Sequence, residues 1–130
     1  MTAPERLQVR NARIVSADSI FEGDIHVLGD KIASVTACGS PSNGARIIDA
    51  AGRLVTPGGV DGHCHVGFRS GEVATLDSYE STSRAALLGG TTTIVDFAIP
   101  EDDESMTEAF ERQLSAGRSS YCDFALHVGV

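Results

Sequence analysis

One stretch decides the fold of this 130-residue chain: Leu54-Val55-Thr56-Pro57-Gly58-Gly59-Val60-Asp61-Gly62-His63-Cys64-His65. Its proline and glycines favour a turn, which would separate the strands before it from the strands after it. After the turn, β-branched and apolar runs at 92–98 and 122–128 alternate with helical patterns at 77–88 and 106–116. Strands separated by helices of this length indicate βαβ units, and therefore an α/β fold with a parallel sheet.

Both predicted helices carry start signals. Asp77 and Glu80 predict a capping box for the first helix, and Ser105 and Glu108 predict one for the second. Glycines follow each pattern, at the place where helices commonly end. Because three parallel strands do not complete a domain, and a closed (β/α)₈ barrel takes about 250 residues, we expect more sequence after Val130.

Upstream of the turn, residues 5–56 alternate apolar and polar positions in the manner of strands. Leu28-Gly29-Asp30-Lys31 predicts a tight hairpin, because Gly-Asp suits the positive φ of two-residue turns. We therefore expect a small antiparallel β unit, in which His26 faces solvent between Ile25 and Val27.

Composition excludes several classes of function. The net charge of −8 argues against nucleic acid or an anionic membrane as partner. No stretch approaches the roughly 18 apolar residues of a membrane span, and the first residues lack a signal-peptide pattern, so we expect a cytoplasmic protein. The three cysteines are widely spaced and odd in number, which indicates reduced thiols rather than disulfides or a cysteine zinc site.

The histidine pair is the main candidate for chemistry. On a strand, His63 and His65 share one face with Asp61, at the carboxyl end of the first strand of the βα series. Two neutral imidazoles placed there can bind one metal ion such as Zn²⁺. Alone, the spacing also fits an ordinary polar strand face. Asp61 can either orient a ligand imidazole or cap the Gly58-Gly59 turn.

The same residues resemble a known family. The stretch 54–65 looks like the first-strand signature of cyclic amidohydrolases, a group within the amidohydrolase superfamily. The run Ala85-Ala86-Leu87-Leu88-Gly89-Gly90-Thr91-Thr92-Thr93-Ile94-Val95-Asp96-Phe97-Ala98-Ile99-Pro100 resembles dihydropyrimidinases and D-hydantoinases in particular, as does Asp123-Phe124-Ala125-Leu126-His127-Val128. The resemblance spans nearly the whole chain and marks it as an amino-terminal piece.

The resemblance implies an architecture and a reaction. Residues 1–56 would form part of a β-sandwich, and residues 57–130 the first three βα units of a TIM barrel. Two divalent metals, usually zinc, would generate a hydroxide that opens a hydantoin or dihydropyrimidine ring. The family's bridging carboxylated lysine is expected outside this chain, because Lys31, its only lysine, lies at the hairpin. The parent protein would be a homo-oligomer.

The loop after the histidines departs from the family pattern. Val66-Gly67-Phe68-Arg69-Ser70-Gly71 replaces the usual proline-containing apolar loop. Phe68 and Arg69 are candidate substrate-binding residues, and their sequence is reminiscent of dihydroorotases and allantoinases, in which an arginine holds a polar substrate. An allantoinase or dihydroorotase-like hydrolase is therefore an alternative.

Other roles stay open at this point. His127 can line the site or be structural, and Asp96 can support the site or form hydrogen bonds within the barrel; no catalytic residue is assigned. A non-catalytic, dihydropyrimidinase-related scaffold is a further alternative. The relatives of that kind lack the histidine pair, so His63 and His65 favour the enzyme. A β-rich binding module is a third, disfavoured by its open sheet edge.

Overall fold

A computed structural model describes residues 4–70 and 72–129; Gly71, the last residue of the loop motif, lies outside them. The chain divides into two compact units, one ending at Pro57 and one beginning at Gly58. Among the described residues, no helix is long and apolar enough to cross a membrane.

The first unit is a mixed β-sheet. Its described part contains β1 (Arg6–Val15), β2 (Ile20–Leu28), β3 (Lys31–Thr36), β4 (Arg46–Asp49) and β5 (Leu54–Val55). The order is β3-β2-β1-β4, and β5 also pairs with β1. The hairpin prediction is confirmed: Leu28 pairs with Lys31 across Gly29, whose φ is +61°.

Two predictions for this unit were wrong. β4 and β5 run parallel to β1, so the sheet is not purely antiparallel. Alternation of apolar residues shows which face of a strand is buried but not the direction of its partner. His26 is half-buried rather than solvent-facing, since its Nε2 lies 2.8 Å from Ser40 Oγ and 3.1 Å from Thr36 Oγ1.

The second unit has the predicted strand-helix order. Its described part contains β6 (Gly59–Asp61), β7 (Arg69–Ser70), β8 (Val73–Ala74), α1 (Tyr79–Leu88), β9 (Thr91–Ala98), α2 (Met106–Gly117) and β10 (Asp123–Val128). β6, β9 and β10 form a parallel sheet in the order β10-β9-β6, with α1 and α2 as the connections. The α/β class is therefore confirmed.

The helix caps agree with the sequence at one helix and differ at the other. At α2, Ser105 and Glu108 form the predicted capping box. At α1 the cap is Ser78, which forms a reciprocal box with Ser81, so the prediction of Asp77 with Glu80 was wrong by one residue. Asp77 instead accepts a hydrogen bond from the Ser81 hydroxyl at 3.2 Å.

The side chains of β9 point alternately to the two faces of the parallel sheet. Ile94, Asp96 and Ala98 are buried on one face, and Ile94 packs with Tyr79 of α1 and Cys122 in the core beneath the helices. Because side chains alternate along a strand, Val95 and Phe97 lie on the opposite face. His127 of β10 pairs with Phe97, which places both on the face that the helices do not cover.

Candidate functional site

The histidine pair lies just beyond the first parallel strand. β6 ends at Asp61, so His63 and His65 occupy an irregular segment at the strand's carboxyl end rather than the strand face that we predicted. The two rings nevertheless meet: His63 Nε2 and His65 Nε2 are 3.3 Å apart, with the ring planes at 85°. Both side chains are exposed, so the two nitrogens are accessible.

The separation of the nitrogens fits shared coordination. An ion held tetrahedrally at ~2.0–2.1 Å from two imidazole nitrogens keeps those nitrogens ~3.3–3.4 Å apart. The observed 3.3 Å equals that spacing, although a hydrogen bond between neutral imidazoles would give a similar one. Within residues 4–70 and 72–129, no group of three or more His, Cys, Asp or Glu side chains is arranged to hold a metal. The described residues thus supply two ligands of an incomplete site.

Phe97 is the common contact of three imidazoles. Its ring centroid lies 4.6 Å from that of His63, 5.2 Å from that of His65 and 4.9 Å from that of His127. Such distances are normal for tilted aromatic contacts. Sequence reasoning missed this role of Phe97. The available signal was strand alternation: Phe97 follows Asp96 and therefore faces the opposite side of the sheet, where the histidines lie.

Asp61 shapes the bend that precedes the pair. Its Oδ1 accepts a hydrogen bond from the His63 backbone N–H at 3.1 Å, which is the local pattern expected of a short acidic side chain in a turn. Asp61 therefore acts on the backbone of His63, and among the described residues its carboxylate shows no hydrogen bond to the Gly58-Gly59 turn or to an imidazole ring.

Cys64 points away from the two imidazoles. Its backbone N–H and its Sγ both donate to the Val95 carbonyl, at 3.0 and 3.4 Å. Burial, followed by the negative charges of Asp96 and Asp61, raises the pKa of the Cys64 thiol to about 11. The Cys64 thiol therefore serves the contact with β9, and the two imidazoles remain the exposed donor groups of this segment. As the sequence predicted, Cys38, Cys64 and Cys122 are all free.

Asp96 is a buried carboxylate with four hydrogen-bond donors. Its Oδ1 accepts from the backbone N–H groups of Val66 at 3.2 Å and Phe97 at 2.7 Å, and its Oδ2 accepts from the Tyr79 hydroxyl and Gln113 Nε2, each at 2.7 Å. Burial, together with the bond to Asp96, raises the pKa of the Tyr79 hydroxyl, which stays a donor. Gln113 was missed, although a polar residue between Ala109 and Gly117 on the buried stripe of a helix signals a need for a partner.

Phe68 and Arg69 occupy different positions relative to the pair. Phe68 is half-buried, and its ring centroid lies 5.1 Å from that of His65. Arg69 is exposed and belongs to the two-residue ladder of β7 with β8, where it pairs with Ala74. Both residues line an open cleft of ≈ 390 Å³, whose wall also includes Phe97 and Pro100. The structure brings Phe68 into contact with His65 and places Arg69 farther along the same cleft.

Fold and site together define an α/β chain with a histidine pair at the carboxyl edge of parallel strands. No protein-family model matches the chain. Rat dihydropyrimidinase is 40% identical over 100% of this chain and 26% of its own length, and mouse dihydropyrimidinase-related protein 5 is 33% identical over 99% and 23%. A crystal structure of D-hydantoinase, 32% identical, superposes with a TM-score of 0.90 over 96% of this chain and 27% of that one.

The chain is a homologue of dihydropyrimidinases and D-hydantoinases along its whole length, which confirms the resemblance carried by its strand motifs. It spans about a quarter of the length of these relatives.

Proposed function

We propose that the protein carrying this chain is a metal-dependent hydrolase that opens a cyclic amide ring, either hydantoin or dihydropyrimidine. The observation that carries the proposal is the 3.3 Å approach of His63 Nε2 to His65 Nε2 at the carboxyl edge of the parallel sheet. The homology to dihydropyrimidinase and D-hydantoinase names the ring chemistry. A small cyclic amide is therefore the proposed substrate, and neither nucleic acid nor membrane is a proposed partner.

In this proposal β6, β9 and β10 are the first three strands of a TIM barrel, residues 57–130, and residues 1–56 are part of a β-sandwich. Support comes from the sequential order of the parallel strands and the helix between each pair. Functional groups of TIM barrels gather at the carboxyl ends of the strands, which is where His63 and His65 lie. Cytoplasmic location and homo-oligomeric assembly stay predictions.

His63 and His65 would hold one of two divalent ions, which we propose to be zinc. Such ions lower the pKa of bound water towards neutrality and polarise the amide carbonyl. Lys31 is not proposed as a ligand: it begins β3 and its ammonium pairs with Asp30 at 3.3 Å in solvent. The bridging carboxylated lysine and the remaining ligands are therefore proposed to lie outside this chain.

This chain's own residues would orient the imidazoles and shape the entrance. Phe97 packs against His63 and His65 from below, and Phe68 packs against His65 from the loop. These two rings are in contact with the imidazoles and would limit how they can turn. Arg69 lines the same cleft, where its guanidinium can bind a carboxylate or carbonyl of the substrate. An allantoinase or dihydroorotase-like specificity is the alternative that Arg69 favours.

A non-catalytic scaffold is the second candidate, and the 33% identity to mouse dihydropyrimidinase-related protein 5 favours it. The two functions differ in what they require of the histidines. A hydrolase needs both imidazoles for its metal, whereas a scaffold tolerates their replacement.

The test is ring opening by the full-length protein that carries this chain, assayed with hydantoin, dihydrouracil, allantoin and dihydroorotate. We expect hydrolysis of at least one ring, and we expect His65→Ala to abolish it. His26→Gln is the matched control, since His26 lies in the first unit and forms hydrogen bonds that glutamine can replace. Absence of hydrolysis of every ring by zinc-loaded protein would favour the scaffold.

A further inference from the structure

We propose that Asp96 and Gln113 are positioning residues that fix the backbone beside His65 and thereby set the geometry of the metal pair. The inference rests on the proposed function, because Asp96 and Gln113 can position a metal site only if His63 and His65 bind a metal. The network is formed by side chains of β9 and α2, which lie beneath the sheet, and it reaches the loop that carries His65.

Both polar groups of Val66 are held by this network. The Val66 N–H donates to Asp96 Oδ1 at 3.2 Å, and the Val66 carbonyl accepts from Gln113 Nε2 at 3.1 Å. Gln113 Nε2 also donates to Asp96 Oδ2 at 2.7 Å, so the two side chains hold each other in place. The residue that follows His65 is consequently tied to β9 and α2 at the same time.

The residue that precedes His65 is tied to the same strand. Cys64 N–H donates to the Val95 carbonyl at 3.0 Å, one residue before Asp96. Phe97, one residue after Asp96, packs against both imidazoles. Three consecutive residues of β9 thus fix the backbone before His65, the backbone after it and the ring surfaces of the pair.

The network is unusual for a core that only has to pack. Asp96 is 1% exposed, and among the described residues no salt bridge reaches it. Burying a carboxylate without a cation is unfavourable, and apolar residues of similar volume generally stabilise a core at least as well. Unlike apolar contacts, these hydrogen bonds fix the orientation of the backbone, because Asp96 and Gln113 bind the N–H and the carbonyl group of Val66. The segment around His65 is irregular and includes Gly67 at φ +64°, so regular secondary structure does not hold it.

Gln113 is itself oriented by a further contact. Arg112 Nη1 donates to Gln113 Oε1 at 3.3 Å, which leaves the Nε2 group to face Asp96 and Val66. Tyr79 also donates to Asp96 but makes no bond to Val66. Among the described residues, two buried side chains donate to the Asp96 carboxylate, and of these two Gln113 is the one that also bonds to the loop of the histidine pair.

The experiment compares Gln113→Met with Tyr79→Phe in the full-length protein. Gln113→Met keeps the length of the side chain and removes the donor to both Val66 and Asp96. Tyr79→Phe removes a bond to Asp96 of the same 2.7 Å length and leaves Val66 untouched. Zinc affinity, measured by chelator competition, should fall ~10- to 100-fold in Gln113→Met, the range typical for loss of a group that orients a ligand. Tyr79→Phe should change the affinity less than ~3-fold. With Co²⁺ in place of zinc, only Gln113→Met should shift the visible absorption bands that report ligand geometry.

Equal zinc affinity and equal Co²⁺ spectra in the two variants would overturn the inference and leave the network purely structural. If Gln113→Met fails to fold, Gln113→Asn takes its place, because it keeps an amide in the core and shortens the side chain by one methylene group, which withdraws the donor from the Val66 carbonyl. His65→Ala is measured alongside. Unchanged zinc binding in that variant would overturn the proposed function itself, whereas lost zinc binding with an unaffected Gln113 variant would overturn only the positioning role.

Discussion

Removal of one buried oxygen atom tests the energetics of the second unit. Tyr79→Phe deletes the hydroxyl that donates to Asp96 Oδ2 at 2.7 Å and leaves the ring, which packs edge-on against Phe124 at 5.5 Å. Hydrogen bonds to charged groups contribute about 1.5–3 kcal/mol each. Asp96 keeps its bonds from Val66, Phe97 and Gln113, so we expect a loss of about 2 kcal/mol in the free energy of unfolding.

The matched control for this variant is Tyr121→Phe. The Tyr121 hydroxyl donates to Glu80 Oε1 at 3.4 Å on the surface, so its removal should change the free energy by no more than about 0.5 kcal/mol. Urea unfolding followed by circular dichroism measures both, with hydrogen exchange of the Val66 and Phe97 amides as a local readout. If Tyr79→Phe is no more destabilising than Tyr121→Phe, the account of Asp96 is wrong.

The same hydroxyl predicts a pH dependence. Its pKa in the folded chain is raised above the ordinary value of 10.0 by burial and by Asp96. Above pH ~10 Tyr79 is ionised in the unfolded chain but still protonated in the folded chain, so the folded state loses stability as the pH rises. We therefore expect the difference between the original protein and Tyr79→Phe to shrink above pH ~10. A difference that stays constant to pH 11 would contradict the assignment.

Two further predictions concern α2. Gly117→Ala should lower the free energy of unfolding by about 1–3 kcal/mol, because a Cβ at Gly117 would overlap the ring of Phe124. Ala116→Gly is the comparison. An unchanged urea midpoint for Gly117→Ala would contradict this packing of Gly117 against Phe124. The second prediction concerns Arg112 of α2 and its partner Glu104. The hydrogen bond that Arg112 donates to Glu104 lowers the pKa of Glu104 to about 2, so the stability that this pair contributes is present above pH 4.5 and is lost as the pH falls towards 2. Glu104→Gln should flatten that part of the pH profile, and an unaltered profile would refute the role of Glu104.

Local signals explain what the sequence predicted correctly. The α2 capping box needs only Ser105 and Glu108, which are three residues apart, and the hairpin needs only Gly29-Asp30. The cap of α1 was misplaced by one residue because Asp77 and Ser78 are both good capping residues, and local chemistry does not choose between them.

Long-range contacts account for what the sequence did not reveal. The pairing of β4 with β1 depends on where the intervening loop carries the chain, which alternation does not encode. The spacing of His63 and His65 indicated their partnership, but their rings meet beyond the end of β6 because neighbouring backbone N–H groups donate to Val95 and Asp96. Gln113 lies 47 residues after Val66, so no short motif could have joined them.

The most direct test of the central claim is the zinc content of the purified full-length protein, measured by elemental analysis in the original form and in His63→Ala, His65→Ala and the double variant. The Nε2 separation of 3.3 Å predicts that both imidazoles hold one ion, so either single variant should lower the zinc bound per chain and the double variant should lower it little further. His26→Gln should retain the original content. Zinc content in the double variant equal to that of the original protein would contradict the account.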